Sequence, residues 1–166
     1  MTGRAADETD TIDMRITRLL PATPDQVFDA YTDAEKQKTW FSILDTAPGI
    51  VEIEVDLRVG GKQTAVWGPD RESLFRETQT FLVIERPHRL VTESTGSSPD
   101  GMTMTTRIEM TFESQGDATL VTVVQSGFPT VELRDFFSEH AWVGAFDRIA
   151  AFLEAELRPA GGGRGA

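Results

Sequence analysis

From Ile12 onward apolar and polar side chains change places at every residue, with Ile12, Met14 and Ile16 opposing Asp13, Arg15 and Thr17. That period of two predicts a strand, residues 12–20, with one buried face. Thr23-Pro24-Asp25-Gln26 then supplies a hydroxyl for the N-cap, proline at the first helical position and a glutamine placed to complete a capping box. A short helix is predicted to start at Pro24, with Val27, Phe28 and Tyr31 on one face. Ala34 to Lys38 predicts a second, leading into Trp40-Phe41. Alternation returns at Ile50, where Val51, Ile53, Val55, Leu57 and Val59 oppose Glu52, Glu54, Asp56 and Arg58 until Gly60-Gly61 turns the chain into a hairpin partner, Lys62 to Trp67.

Four more strands follow, Leu74 to Ile84, Arg89 to Ser94, Met102 to Phe112 and Thr119 to Ser126, separated by Pro-, Gly- and Asp-containing turns short enough to imply antiparallel neighbours. In the third of these, Met102, Met104, Thr106, Ile108, Met110 and Phe112 alternate with polar residues throughout, so one sheet face is wet and the other must be covered. The covering element is the segment Thr130 to Leu157, in which Trp142, Phe146, Ile149, Ala150, Leu153 and Leu157 form an apolar stripe at helical spacing. Upstream, Leu133, Phe137, His140 and Gly144 fall on a face rotated by roughly a third of a turn, which predicts a kink or contact with two surfaces. Residues 1–10 and the glycine-rich stretch 159–166 are expected to be disordered tails around one domain, residues 11–158. The fold class is therefore α+β, an antiparallel sheet around a long C-terminal helix.

Composition narrows the chemistry. The sequence of 166 residues has no cysteine, which excludes disulfides, thiolate catalysis and cysteine-bound metal. No basic-then-apolar leader or long apolar run is present, so no membrane insertion and a cytoplasmic location are expected. A formal charge of −11 argues against nucleic acid as a partner. The two histidines, His88 in a turn and His140 on the long helix, lack the spacing of a zinc site, and no phosphate-cradling loop, dinucleotide fingerprint or nucleophile elbow occurs. Neither metal nor cofactor is expected.

The order strand, two short helices, six strands, long helix resembles the START-like (SRPBCC) superfamily with its helix-grip fold. Ala22-Thr23-Pro24-Asp25-Gln26-Val27-Phe28-Asp29-Ala30, Trp40-Phe41, Asp56-Leu57-Arg58-Val59-Gly60-Gly61, Arg86-Pro87-His88-Arg89-Leu90-Val91, Thr119-Leu120-Val121 and Trp142 followed by Phe146 are similar, in order and spacing, to the heat-shock-protein-ninety ATPase activator homologue family. The resemblance implies a curved seven-stranded antiparallel sheet with an internal cavity between sheet and helix. It also implies a compact member without the namesake's chaperone-binding domain, because ten residues precede the first strand.

Aromatic and thioether side chains supply the material for such a cavity. Trp40, Phe41, Trp67, Phe81, Met102, Met104, Trp142, Gly144 and Phe146 are the candidate ligand-binding residues, with His140 as a polar anchor or general acid/base beside them. Trp67 and Trp142 are expected to approach one cavity. Arg58 and Asp56 are expected to form a salt bridge at the hairpin, and either Glu77 or Glu109 to face inward. No catalytic residue is assigned. The leading function is binding of a small apolar or aromatic molecule without catalysis; a chaperone cofactor or other interaction module and a cyclase- or dehydratase-like enzyme using an inward His or Glu are the alternatives. A protein partner and a homodimer both stay open.

Overall fold

The computed structural model describes residues 11–42 and 49–157; the expected tails lie outside the described residues. Its strands are β1 (Asp13–Leu20), β2 (Ile50–Val55), β3 (Lys62–Gly68), β4 (Phe75–Glu85), β5 (Arg89–Ser97), β6 (Thr103–Gln115) and β7 (Ala118–Ser126). They form one open antiparallel sheet in the order β1-β7-β6-β5-β4-β3-β2. Only the β1–β7 pairing joins strands distant in sequence, Asp13 opposite Ser126 through Leu20 opposite Thr119. The remaining pairs follow the chain, as short turns require. Among the described residues β1 and β2 are the edges of the sheet, and β2 turns Glu52 and Glu54 outward on either side of buried Ile53.

Two helices, α1 (Pro24–Thr32) and α2 (Ala34–Ser42), follow β1. The predicted capping box is formed: Gln26 N–H donates to Thr23 Oγ1, and Thr23 N–H donates to Gln26 Oε1 at 2.9 Å. Phe28 of α1 meets Phe112 of β6 edge-on with ring centroids 5.7 Å apart, and Tyr31 meets both Phe112 and Trp40. Arg86 ties the β4–β5 turn to α1 by donating to Asp29 at 2.7 Å, with its guanidinium over the Phe28 ring. Phe28, Phe81, Phe112, Phe146, Ile149 and Leu153 are each essentially inaccessible and mark the centre of the core.

The C-terminal segment is helical in three pieces: α3 (Val131–Phe136), a π turn at Phe137–Ala141, and α4 (Trp142–Leu157). Trp142 N–H donates to Phe137 O, the i to i+5 bond that defines the wider turn. This is the physical origin of the phase shift in the sequence. Five residues of regular α-helix would rotate Trp142 roughly 140° away from Phe137, whereas one wide turn returns it close to the same side. Leu133 and Phe137 therefore pack on the core below, and Trp142, Phe146, Ile149 and Leu153 continue that contact above. Charged contacts hold the helices in place: Arg134 donates to Asp13 O at 3.0 Å, Arg18 pairs with Asp147 at 2.6 Å, and Lys36 pairs with Glu156 at 3.0 Å.

Three expectations change. The alternation that runs to Val59 stops being a strand at Val55; Asp56–Gly61 is a turn in which Arg58 N–H bonds Asp56 O and Gly61 N–H bonds Arg58 O, leaving Leu57 and Val59 exposed. Gly61 is required there, since a Cβ would lie 2.3 Å from Asp56 O. Met102 precedes β6 and is 57% exposed, because the Ser98–Met102 turn bonds hold it outside the ladder. Leu157, placed on the apolar stripe, is exposed at the end of α4. The predicted Arg58–Asp56 ion pair is present at 2.8 Å on the surface.

Phe112 touches aromatic rings from α1 on one face and sits in the central strands of the sheet, so its removal leaves a cavity that no single neighbour can fill. Phe112→Ala is expected to destabilise by about 3–5 kcal/mol; a denaturation midpoint close to wild type would show that α1 collapses onto the sheet without it.

Candidate functional site

Strand register alone decides which side chains line the covered face. Opposed residues form rows across it, and one row is polar: Gln63 of β3, Gln79 of β4, Ser94 of β5 and Thr106 of β6 stand directly opposite one another. One step toward one end of the strands lies the row Phe81, Thr92 and Ile108, followed by the aromatic and aliphatic core. One step the other way lies Ala65, Glu77, Gly96 and Met104, and beyond that Trp67 opposite Phe75. Burial follows the same direction. Phe81, Thr92 and Ile108 are buried, whereas Glu77, Gly96, Met104 and Trp67 are half-buried and Phe75 is exposed. The covered face is thus sealed at one end and open at the other, with the polar row at the boundary.

Buried amides and hydroxyls are costly without partners, and here they satisfy one another in three small groups. Gln37 of α2 and Gln63 exchange amide hydrogen bonds at 3.2 Å. Trp142 Nε1 donates to Gln125 Oε1 at 2.8 Å, and Gln125 Nε2 donates to Thr106 Oγ1 at 2.9 Å. Thr92 Oγ1 donates to Gln79 Oε1 at 2.7 Å, and Ser94 Oγ donates to Glu77 Oε2 at 2.7 Å. Burial pushes the Glu77 carboxyl up, while hydrogen bonds from Ser94 and Gln79 oppose that rise. Of the two carboxylates considered from the sequence, Glu77 faces inward; Glu109 is on the opposite face, bonded to Arg89 Nε at 2.7 Å.

The expected ligand-binding residues divide into four sets. Trp67, Phe41 and Met104 border the open end; Trp67 packs edge-on to Phe41 at 5.5 Å and stacks on Phe75 at 5.7 Å. Trp142 and Gly144 lie on the far side, at the start of α4. Trp40, Phe81 and Phe146 are buried in the sealed core, and Trp40 Nε1 is occupied by Ala30 O. His140 and Met102 are exposed; His140 stands beside exposed Phe136 rather than over the sheet, because the π turn directs Trp142 inward. Trp67 and the Gln125 that holds Trp142 are four strands apart, roughly 19 Å on a flat sheet. The two tryptophans flank the open end instead of meeting.

Sequence reasoning did not single out Gln79, Ser94, Thr92, Gln125 or Gly96. Gly96 sits between Glu77 and Met104 in its row, and a Cβ there would meet only Arg76 O at 3.6 Å, so the space above it is free. At Gly144 a Cβ would meet only Arg148 Nη1, also at 3.6 Å. Two surface clefts stand out elsewhere, one of about 310 Å³ along Arg18–Pro21 and Ala150 and one of about 290 Å³ between Lys36 and Phe152. Neither includes an expected ligand-binding residue, and both open to solvent. Among the described residues no group of acidic or histidine side chains could hold a metal ion, and no helix is long and apolar enough to cross a membrane.

Trp142→Phe removes the donor to buried Gln125 and is expected to destabilise by about 1–3 kcal/mol; Gln125→Met in the same background should recover part of that loss, and no recovery would argue that the indole acts by packing alone. For Glu77 the sign follows from a folded carboxyl raised above its ordinary value of 4.5. Below that value both states are protonated and Glu77 costs nothing; between it and the raised folded value only the unfolded chain gives up its proton, so stability falls across that window and levels off once the native carboxyl ionises too. Melting curves of Glu77→Gln and wild type should converge in acid and separate toward neutral pH, with the variant higher; parallel curves at all pH values would contradict a raised carboxyl.

The fold is similar to that of several crystal structures at low identity. Ms6760 from Mycobacterium smegmatis superposes with a TM-score of 0.69 at 19% identity, covering 89% of this chain and 98% of that one. Mll3558 from Rhizobium loti gives 0.68 at 22% identity, covering 86% and 97%. A protein from Rhodobacter sphaeroides gives 0.69 at 22% identity, covering 89% and 95%. No match is found among curated proteins. Residues 21–154 match the family described as activator of Hsp90 ATPase homolog 1-like protein, and the chain belongs to that family.

Proposed function

We propose that this protein binds a small molecule with a flat aromatic or apolar body at the open end of the covered sheet face, between Trp67 and Phe41 on one side and Trp142 on the other. The observation that carries the reading is the polar row with free space above Gly96. A face built only to be packed by a helix would be apolar, as its sealed half mostly is around Phe81, Ile108, Met110 and Phe112. Here the open half instead sets Glu77, Gln79 and Ser94 next to a tryptophan, a phenylalanine and a methionine. Ligand sites have that composition: mostly apolar walls with a few fixed polar groups. Met104 adds an adaptable surface. Membership of a family whose fold accommodates ligands between sheet and helix supports the same reading.

One observation favours an enzyme of the cyclase or dehydratase kind as the second reading. Glu77 is an inward carboxyl that burial pushes up, the direction of shift that favours a group carrying a proton. In that reading Glu77, not His140, moves the proton.

Flat aromatic ligands are expected to change tryptophan fluorescence saturably and to raise the melting temperature, the stabilisation reaching about 2.7 kcal/mol at a hundredfold excess over Kd. Gly96→Leu places a side chain in the free space without backbone conflict and should abolish both signals while the protein still melts cooperatively. Silence of the wild type across an aromatic panel, or undiminished binding by Gly96→Leu, would overturn the proposal.

A further inference from the structure

We propose that Glu77 is the anchor for the amino group of the bound molecule, so that the ligand is an aromatic or apolar amine and not a carboxylate; this rests on the binding reading above. Thr92 donates its hydroxyl proton to Gln79 Oε1, which fixes the Gln79 amide with its NH2 end free to serve Glu77. Ser94 donates to Glu77 Oε2. Ser94 and Gln79 are thus both turned toward one carboxylate, with Thr92 holding the Gln79 amide in place, and what the cluster lacks is a cation. No lysine or arginine among the described residues forms an ion pair with Glu77. The arginines and lysines that do form pairs reach partners elsewhere, as Arg89 reaches Glu109 on the opposite face.

Position completes the case. Gly96 opposes Glu77 directly in the β4–β5 ladder, so the carboxyl borders space that any larger residue would take. Trp67 is diagonal to Glu77 across the β3–β4 pair, a separation that aromatic side chains span. An ammonium group there meets a carboxylate and an aromatic face together, the two partners that favour a desolvated cation. A ligand carboxylate would instead meet a like charge in a half-buried site. At long range the net charge of −11 concentrates cations and repels anions.

The test compares three probes that share one ring system: naphthylmethylamine, naphthylmethanol and naphthoate, titrated against wild type by fluorescence and thermal shift. The amine is expected to bind at least tenfold tighter than the alcohol, with naphthoate weakest. Glu77→Gln should reduce amine affinity by about tenfold or more and leave the alcohol within about twofold. If naphthoate binds as tightly as the amine, or if Glu77→Gln holds the amine as wild type does, the anchor is wrong while the binding reading stands. If none of the three binds, the binding reading falls and the anchor falls with it. The comparison of probes on wild type does not depend on any variant folding, and Ser94→Ala provides a milder perturbation of the same carboxylate should Glu77→Gln melt early.

Discussion

An antiparallel sheet with one apolar face is stable only if that face is removed from water, and here one helical segment must do most of the covering. The sheet has seven strands, so the segment cannot lie close to all of them. The structure resolves this by sealing one end with α1, α2 and α4 around Phe28, Phe112 and Phe146, and by leaving the other end to a row of polar side chains that tolerate partial hydration. The π turn follows from the same constraint. α3 and the start of the π turn have to pack Leu133 and Phe137 near β1, and α4 has to bring Trp142 back over β7; a regular helix cannot present both on one side. The wide turn supplies the missing rotation and aims the indole at Gln125.

The polar row depends on that aim. Gln125 is buried and has two hydrogen-bonding functions, one used on Thr106 and one satisfied by Trp142. Gln63 is satisfied by Gln37 from α2 in the same way. Each side of the open end is thus held by a helix that contributes one polar side chain to a buried glutamine, while the middle, Glu77 with Ser94 and Gln79, is completed by the sheet alone. The helix-held glutamines lie at the flanks and the inward carboxyl of Glu77 lies in between.

Much of the fold was legible because covered antiparallel strands write their period into the sequence, and β6 does so from Met104 to Phe112 without a break. Where legibility failed, the physical reason is specific. Leu57 and Val59 keep the period of two inside a turn, and periodicity says nothing about where hydrogen bonds close. The phase slip in the C-terminal helix was visible, but a π turn and a kink leave the same trace. The candidate site was less legible. Aromatic residues announce themselves, yet Trp40 and Phe81 are core while Trp67 borders open space, a difference set by pairing and not by composition. Glu77 and Glu109 look alike in sequence; only register places one beside Gly96 and the other beside an arginine.

The free edge at β2 bears on how copies of this chain meet. An edge strand offers unpaired backbone groups that a second molecule could extend. β2 is six residues long and carries Glu52 and Glu54 on either side of Ile53. Two copies joined there antiparallel about Ile53 would set Glu52 of each opposite Glu54 of the other, a double like-charge contact across the new ladder. Pairing of two copies in that register is therefore opposed by their own charges.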